Sequence, residues 1–520
     1  MSEQTVIGIS FGTVYSCITL PGKPGSVPEV IANEDGDRQI PSYVAFTGYE
    51  ELCGTQAKLQ ALANQAGTIH HFKQLLGKKM VDDEVKLNQK RYRVAIVPST
   101  GNAVFPAYET EFFEDGADEP TVVQHTVVQV TAKYFAKLKE TAEGFSGKSV
   151  DGCVISIPAH FEESQKTDLL KAAHEAGFKS AFALHEPVAA AMAYKNIASG
   201  QDKPDNNVLV LDLGAEAFNV TLISEHDGLY TIEESIEEAN LGGTNFDKVL
   251  LEFAKDDFKK KTRNDISDNK RSLIKLQNAC EKAKRALTQQ DTVACQVEAL
   301  YDGMDYNGTI LRGRFDMLAE PLYARCKETV LKLLKSCKVT PNEIDQVLLV
   351  GGSSRMPRFQ SSIKSLFPNV GNGTDFRCDV EPDEAISIGC AIQGGIMVEN
   401  NVNLDVKFDK ALIDANHVGK SIGIKSGDGK FIPIIPSGTP LPVRRSFKVP
   451  LAPKQTDVYL SVSENNLESG SVIAEVVLSG LADDIKNGVV EIVFLIENDH
   501  HLDVTMTELV SGEKVHALLK

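Results

Sequence analysis

Three apolar stretches of the chain each run into a turn that contains glycine. They are residues 6–13 (VIGISFGT), 207–214 (NVLVLDLG) and 346–353 (QVLLVGGS). A short, continuous apolar run is typical of a buried strand. Glycine at its end lets backbone N–H groups approach an anion that a Cβ atom would keep away. One such turn is weak evidence for a phosphate site, but three turns in two separate halves of the chain predict a nucleotide held between two lobes.

Strands and helices alternate up to about Glu399, which predicts an α/β domain. Residues 126–143 and 164–176 have the periodicity of amphipathic helices, and Gly177 is expected to end the second. One further helix has apolar residues three and four positions apart, namely Leu273, Leu276, Cys280, Ala283 and Leu287.

After Asn400 the pattern changes to short runs in which apolar and polar residues alternate. Three of these runs are centred on Leu460, Ile492 and Val504, and residues 427–429 (GDG) and 436–438 (PSG) are expected to form turns. We therefore predict an α/β domain over residues 1–399, a polar linker over 400–405, and a small all-β domain over 406–520.

The composition narrows the classes of function. A net charge of −18 disfavours direct binding of nucleic acid, because that affinity comes largely from Lys and Arg. No apolar run reaches the length of a transmembrane helix, so neither a membrane partner nor membrane insertion is expected, and the cytoplasm is the predicted location. The paired histidines His70-His71 and His500-His501 have no further ligand at a suitable spacing, so no metal site is expected among them.

Longer strings resemble the 70-kDa heat-shock (DnaK-type) chaperone family. They are residues 8–17 (GISFGTVYSC), 33–38 (NEDGDR), 185–191 (HEPVAAA), 241–247 (LGGTNFD) and 350–357 (VGGSSRMP). The resemblance is collinear from about residue 5 to the C-terminus. It implies an actin-like, ribonuclease-H-like nucleotide domain with two lobes, followed by a β-sandwich of the substrate-binding type. The sequence ends soon after the last predicted strand, so no helical lid is expected.

The resemblance also implies a set of residues that bind ATP, with any Mg²⁺ held weakly. Residues 279–288 (ACEKAKRALT) look like the adenosine-binding helix, and the spacing of Glu281, Lys284 and Thr288 independently gives one polar stripe. Lys73 lies where the family keeps its phosphate-contacting lysine. The other implied ATP-binding residues are Gly12, Thr13, Val14, Tyr15, Gly214, Ala215, Gly242, Gly243, Arg285, Gly351, Gly352, Ser353, Arg355 and Asp383.

Several positions depart from the family pattern. Ser10 replaces an aspartate of the first phosphate loop, and residues 214–219 (GAEAFN) replace a triple glycine followed by Thr-Phe-Asp. Losing one preorganised group of this kind costs about 10²–10³ in rate. The carboxylate of Glu216 would also repel a phosphate unless it points away. On this argument no residue is assigned a catalytic role, although Lys73, Glu186 and Asp212 survive.

Two departures concern other parts of the chain. The linker residues 401–404 (NVNL) offer about one apolar anchor where the family has several leucines, and His160 replaces the tyrosine of a Pro-Ala-Tyr-Phe motif. Together the departures resemble the atypical subfamily of the ribosome-associated complex.

That resemblance implies a hydrolysis-deficient, ATP-holding subunit paired stably with a J-domain protein of the zuotin type. It would reach the ribosome through this partner, touch nascent polypeptide and stimulate a separate, active Hsp70-type chaperone. The alternative is a working ATPase chaperone that binds unfolded polypeptide directly. In that case Lys73, Glu186 and Asp212 suffice for ATP hydrolysis. A sugar kinase or a filament-forming protein on the same fold is disfavoured by the continuous match and by the β domain.

Overall fold

The computed structural model describes most of the 520-residue chain. The described residues are 5–22, 26–91, 94–112, 120–197, 205–226, 229–371, 373–399, 421–425, 431–435, 443–452, 454–464, 471–481, 488–496 and 501–519. They form two compact units, one within residues 1–200, 207–223 and 232–396 and the other within 201–206, 224–231 and 397–520. The predicted linker at 400–405 and the predicted turns at 427–429 and 436–438 lie outside the described residues, so the linker boundaries stay a prediction.

The first part of the α/β unit, here called lobe I, is built around a six-stranded sheet in the order β12-β11-β1-β2-β3, with β4 paired to β2. The strands of lobe I are β1 (Val6–Ser10), β2 (Tyr15–Leu20), β3 (Glu29–Ile31), β4 (Ile40–Pro41), β5 (Tyr43–Phe46), β6 (Glu51–Cys53), β7 (Thr68–His70), β8 (Ala95–Pro98), β9 (Pro106–Phe112), β10 (Thr121–Thr126), β11 (Gly152–Ile157) and β12 (Ser180–His185). The helices are α1 (Gly54–Gln60), α2 (Asp83–Arg91), α3 (Val127–Ser146), α4 (Glu163–Glu175) and α5 (Glu186–Ile197).

The second part, lobe II, has a five-stranded sheet in the order β15-β14-β13-β18-β19. Its strands are β13 (Asp205–Leu213), β14 (Ala217–His226), β15 (Leu229–Ala239), β16 (Thr292–Tyr301), β17 (Met304–Leu311), β18 (Gln346–Val350) and β19 (Asp375–Arg377). Its helices are α6 (Gly243–Thr262), α7 (Lys270–Ala286), α8 (Arg312–Ser336) and α9 (Pro357–Lys364). The last helix, α10 (Ala385–Glu399), packs against the sheet of lobe I, where Thr19 Oγ1 donates to Ser387 Oγ at 2.8 Å. Three 3₁₀ helices span Phe72–Leu75, Pro341–Glu343 and Gly352–Arg355.

The two large sheets repeat one topology. Each places its first strand at the centre, with two sequential neighbours on one side and two later strands on the other. The central pairs β1–β11 and β13–β18 are both parallel. Each lobe has its own apolar core, so the chain contains a duplicated α/β arrangement.

Local sequence explains where the predicted helices begin and end. Helix α3 starts after Thr126, whose side chain accepts a hydrogen bond from the Gln129 N–H, and it ends at Gly147 in the left-handed conformation. Helix α7 buries Leu276, Cys280 and Ala283, as its apolar stripe predicted. The three helices predicted from periodicity are therefore confirmed as α3, α4 and α7.

The second unit contains two antiparallel four-stranded sheets, in the orders β21-β20-β23-β24 and β22-β25-β26-β27. The strands are β20 (Ile422–Lys425), β21 (Phe431–Ile435), β22 (Val443–Pro450), β23 (Asp457–Glu464), β24 (Ser471–Ser479), β25 (Val489–Ile496), β26 (Leu502–Glu508) and β27 (Lys514–Leu519). Leu460 of one sheet and Phe494 of the other belong to one core, as in a β-sandwich. The described residues between 421 and 519 contain no helix.

Candidate functional site

The predicted glycine turns follow the central strands of the two large sheets. The first follows β1 in lobe I, whereas the second and third follow β13 and β18, which are neighbours in lobe II. A pocket in this region is lined by Glu186 and Ala159 from lobe I and by Asp212, Asn219 and Val350 from lobe II. Parallel strands that end at one edge bring their loops together, which is where ligands of open α/β sheets bind.

A buried charged cluster lies at this pocket. Lys73 donates a hydrogen bond to the Phe11 carbonyl oxygen at 2.5 Å and forms an ion pair with Glu186 at 2.9 Å. Both side chains are about nine-tenths buried. Burial, followed by the negative charge of Glu186, raises the pKa of Asp212 to about 7, although Lys73 acts in the opposite direction. The three polar residues that survive from the family pattern are therefore electrostatically coupled.

Two further features suit this pocket to a polar, anionic ligand. The side-chain oxygen Oδ1 of Asn219 is buried and accepts no hydrogen bond within the described part of the chain. Gly351 has a φ of 80°, and a Cβ atom there would lie 2.4 Å from Oδ1 of Asp212. Only glycine lets the turn after β18 approach the end of β13 so closely. Asn219, Gly351 and Asp212 therefore fit the phosphate group of a nucleotide and the cation bound to it. Asp212 and Asn219 could contact that cation through water.

The expected adenosine side contains a second cluster, which includes residues of both lobes. Glu281 of α7 accepts hydrogen bonds from the Tyr15 hydroxyl at 2.7 Å and from Arg285 at 2.9 Å. Lys58 of α1 lies 3.4 Å from the same carboxylate and also donates to the Tyr15 hydroxyl. Burial acts to raise the pKa of Glu281, but Lys58 and Arg285 outweigh it and hold the pKa below its usual value. Tyr15, Glu281 and Arg285 were predicted from the sequence as nucleotide-binding residues, whereas Lys58 was not.

Lys284 has an internal role that its position on the polar stripe did not reveal. Its ammonium group donates to the Gly243 carbonyl oxygen at 2.9 Å and lies 2.9 Å from Asp247 Oδ1. Both charged side chains are at least nine-tenths buried. Burial raises the pKa of Asp247 and the Lys284 charge opposes this. Lys284 thus joins α7 to the first turn of α6.

The remaining predicted residues lie in the turns themselves. Ser353 donates to the Gly214 carbonyl oxygen at 3.1 Å, and Gly243 N–H donates to the same oxygen at 2.9 Å. Arg355 forms ion pairs with Asp383 and Glu381. The other predicted residues of these turns make the following hydrogen bonds, written from donor to acceptor: Ser42 Oγ to Gly12 O, Ser42 N to Val14 O, Gly242 N to Asn245 Oδ1, Thr244 N to Ala215 O and Thr288 Oγ1 to Arg285 O. Thr13 and Gly352 also lie in these turns.

Glu216, which the sequence placed near the phosphates, is paired. Its Oε1 lies 3.1 Å from Nε2 of His71, and both side chains are buried. His71 was missed because its partner is 145 residues away in the chain.

The described residues show no group of three or more His, Cys, Asp or Glu side chains that could hold a metal ion. Within the same part of the chain, no helix is long and apolar enough to cross a membrane.

Comparison with known proteins identifies relatives along the whole chain. The family model described as Hsp70 protein matches residues 6–518. The chain is 34% identical to a heat shock protein of Pyricularia oryzae, named as an Ssb protein, over 98% of this chain and 81% of that protein. It is 34% identical, with the same coverage, to a ribosome-associated molecular chaperone of Saccharomyces cerevisiae that is also named as an Ssb protein. It is 31% identical to the heat shock 70 kDa protein 2 of Paracoccidioides lutzii over 98% of this chain and 75% of that protein.

These matches confirm the predicted fold class, a two-lobed actin-like domain followed by a β-sandwich. Several relatives are named as ribosome-associated chaperones, and this agrees with the ribosome-associated location expected from the sequence.

They overturn the main functional interpretation. The hydrolysis-deficient co-chaperone subunit is wrong, and so is the expectation that the chain is not an enzyme, because the relatives are chaperones of a family that hydrolyses ATP. The departures at Ser10 and residues 214–219 predicted a loss of hydrolysis. The fold nevertheless keeps Lys73, Glu186 and Asp212 together in a buried cluster.

Proposed function

The chain belongs to the Hsp70 family, and we propose that it is an ATP-hydrolysing chaperone that binds nascent or unfolded polypeptide directly. The observation that supports this most strongly is the buried cluster of Lys73, Glu186 and Asp212. Several relatives are named as ribosome-associated chaperones, which supports a site of action at the ribosome.

The arrangement of the cluster suggests what each residue does. Bound ATP would supply the phosphoanhydride bond that breaks, with a solvent water accepting the phosphoryl group and ADP leaving, and Mg²⁺ would polarise the terminal phosphate. Lys73 compensates the charge of Glu186 at 2.9 Å and is held in place by the Phe11 carbonyl. Because a pKa of about 7 is close to the working pH, Asp212 is suited to take a proton from water at its carboxylate.

We propose that the nucleotide lies with its phosphates at this cluster and its adenosine towards Glu281, Arg285, Ser353 and Arg355. Tyr15 and Lys58 approach Glu281 from lobe I, so a nucleotide there would contact both lobes. The polypeptide would be bound by the β-sandwich unit.

A single-turnover assay with radiolabelled ATP tests the catalytic proposal. Lys73→Ala should reduce the rate by roughly 10²-fold or more, because it removes a preorganised cation and leaves Glu186 buried without it. Lys79→Ala is the matched control, since Lys79 is six residues away and exposed. Hydrolysis by the unchanged protein at background level, or equal rates for Lys73→Ala and the unchanged protein, would overturn the proposal.

We also propose that the chain binds a J-domain protein of the zuotin type, as in the ribosome-associated complex. This second proposal concerns the partner and is independent of ATP hydrolysis. The departures at Ser10 and residues 214–219 resemble those of the subfamily that pairs with such a protein, and they support the partner and not a loss of hydrolysis. Affinity purification from native lysate at physiological salt, read by mass spectrometry, tests it. A stoichiometric J-domain protein is expected, and its absence would refute the pairing while leaving the ATPase proposal in place.

A further inference from the structure

A histidine of lobe I and a carboxylate of lobe II form a buried contact between the two lobes. His71 is the last residue before the 3₁₀ helix Phe72–Leu75 of lobe I, and Glu216 lies in the turn between β13 and β14 of lobe II. Nε2 of His71 is 3.1 Å from Oε1 of Glu216, and the side chains are 8% and 9% exposed. Because a carboxylate only accepts hydrogen bonds, the histidine nitrogen is the donor.

The backbone at His71 is in an uncommon conformation. Its φ is 61°, in the left-handed region that few residues other than glycine adopt. Such a conformation persists when the surrounding structure imposes it, and these conformations cluster at functional sites. Here the surroundings include the Glu216 carboxylate and the N–H of Gln74, which donates to the His71 carbonyl oxygen at 3.1 Å.

Both members of the pair are close in sequence to the proposed phosphate-binding residues. His71 precedes Lys73 by two positions, and Glu216 follows Asp212 by four in the turn that the family keeps as glycines. A carboxylate on this turn repels a polyphosphate unless a hydrogen-bond donor holds it in place away from the phosphates. The repulsion grows with the charge of the nucleotide, so it is larger for a triphosphate than for a diphosphate.

We infer that His71 is a positioning residue for the triphosphate end of the nucleotide: it holds the Glu216 carboxylate against lobe I through a hydrogen bond. This inference rests on the proposed binding of ATP in the pocket. On this inference, the His71–Glu216 pair helps to set the preference between a nucleoside triphosphate and a diphosphate. A glycine-rich turn without the carboxylate would not need such a pair.

A second pair provides a matched control. His160 of lobe I and Glu237 of β15 also form a histidine–carboxylate contact between the lobes. The His160 side chain is 47% exposed, so water screens this pair. The loss of His160 should therefore leave nucleotide preference nearly unchanged.

The test is calorimetric binding of ADP and of the imido analogue of ATP, which is not hydrolysed. His71→Asn removes the imidazole but keeps a residue that tolerates the left-handed region, so backbone strain is not added. We expect it to weaken binding of the ATP analogue by at least about tenfold, which corresponds to ~1.4 kcal/mol, and binding of ADP by clearly less.

Adding Glu216→Gln to His71→Asn should restore the affinity for the ATP analogue to within about threefold of the unchanged protein, because the repelling charge is gone. A merely structural role predicts equal losses for both nucleotides and no rescue, and that result would overturn the inference. His160→Asn is measured alongside, and thermal unfolding of each nucleotide-free variant checks the fold.

The outcomes separate this inference from the proposed function. If the unchanged protein binds neither nucleotide, both are wrong. If it binds both nucleotides and His71→Asn has no selective effect, only the role of His71 is wrong.

Discussion

The Tyr15 hydroxyl donates a 2.7 Å hydrogen bond to Glu281, although the two residues are 266 positions apart in the chain. Tyr15 begins β2 of lobe I, and Glu281 lies in the last third of α7 in lobe II. Arg285 lies over the Tyr15 ring, with 4.6 Å between the guanidinium carbon and the ring centroid. This contact closes the adenosine side of the proposed site, so changes at Glu281 should alter nucleotide affinity.

Glu281→Ala should weaken nucleotide binding by about 1–2 kcal/mol, because Tyr15, Lys58 and Arg285 lose a common acceptor. Isothermal titration with ADP measures the change. Lys282→Ala is the control, since Lys282 is the next residue of the helix and is exposed. Equal affinities for Glu281→Ala and Lys282→Ala would mean that adenosine binds elsewhere.

Asp212→Asn should stabilise the nucleotide-free protein at pH 8 while lowering its ATPase rate. The pKa of Asp212 is raised to about 7 in the folded state, so folding favours the protonated form. Stability due to this group is therefore lost as the pH rises from about 4 to 7, and an uncharged asparagine avoids that loss. The unfolding midpoint should rise by about 2 °C or more at pH 8.

The same variant provides its own control at low pH. Near pH 4 Asp212 is protonated in the folded protein, so the two unfolding midpoints should converge. A midpoint difference that stays constant between pH 4 and pH 8 would show that the carboxylate does not titrate in this range.

Lys284→Met should destabilise the α/β unit by about 3–5 kcal/mol, because it leaves Asp247 buried without its cation. The sequence showed no sign of this role, since Lys284 lies on the polar stripe of α7 and not on its apolar stripe. Chemical denaturation measures the loss. Adding Asp247→Asn should recover much of it, whereas a protein as stable as the original after the single change would show that the ion pair contributes nothing.

Local patterns predicted those parts of the fold that depend on neighbours in sequence. The spacing of Leu276, Cys280 and Ala283 was sufficient to predict helix α7. The alternation of apolar and polar residues around Leu460, Ile492 and Val504 was sufficient to predict strands β23, β25 and β26. The apolar runs before the three glycine turns became β1, β13 and β18.

Contacts between distant residues could not be predicted in this way. Lys58 and Glu281 are 223 positions apart, and His71 and Glu216 are 145 apart. Neither pair leaves a periodic signal, because a charged residue has the same local pattern whether its partner is water or a buried carboxylate. The internal role of Lys284 was hidden for the same reason, since helix spacing gives the direction of a side chain and not what lies there.

Binding of unfolded polypeptide should depend on an exposed apolar pair in the β-sandwich unit. Tyr459 of β23 and Val477 of β24 lie opposite each other in the strand register and are 58% and 45% exposed. Strand β24 is the last strand in the order of its sheet, a position that favours addition of an extended peptide. Replacing both residues with serine should weaken binding of a labelled unfolded polypeptide at least about tenfold, read by fluorescence anisotropy.

The matched control replaces Leu509 and Val510, which are exposed to a similar degree in the turn after β26. Because all four side chains are exposed, neither double variant should lower the unfolding midpoint appreciably, so a difference in binding reports on the surface itself. If both double variants bind polypeptide as tightly as the unchanged protein, this face of β23 and β24 is not where the chain meets its substrate. If they weaken binding equally, the contact is general apolar adhesion and not recognition at the edge of the sheet.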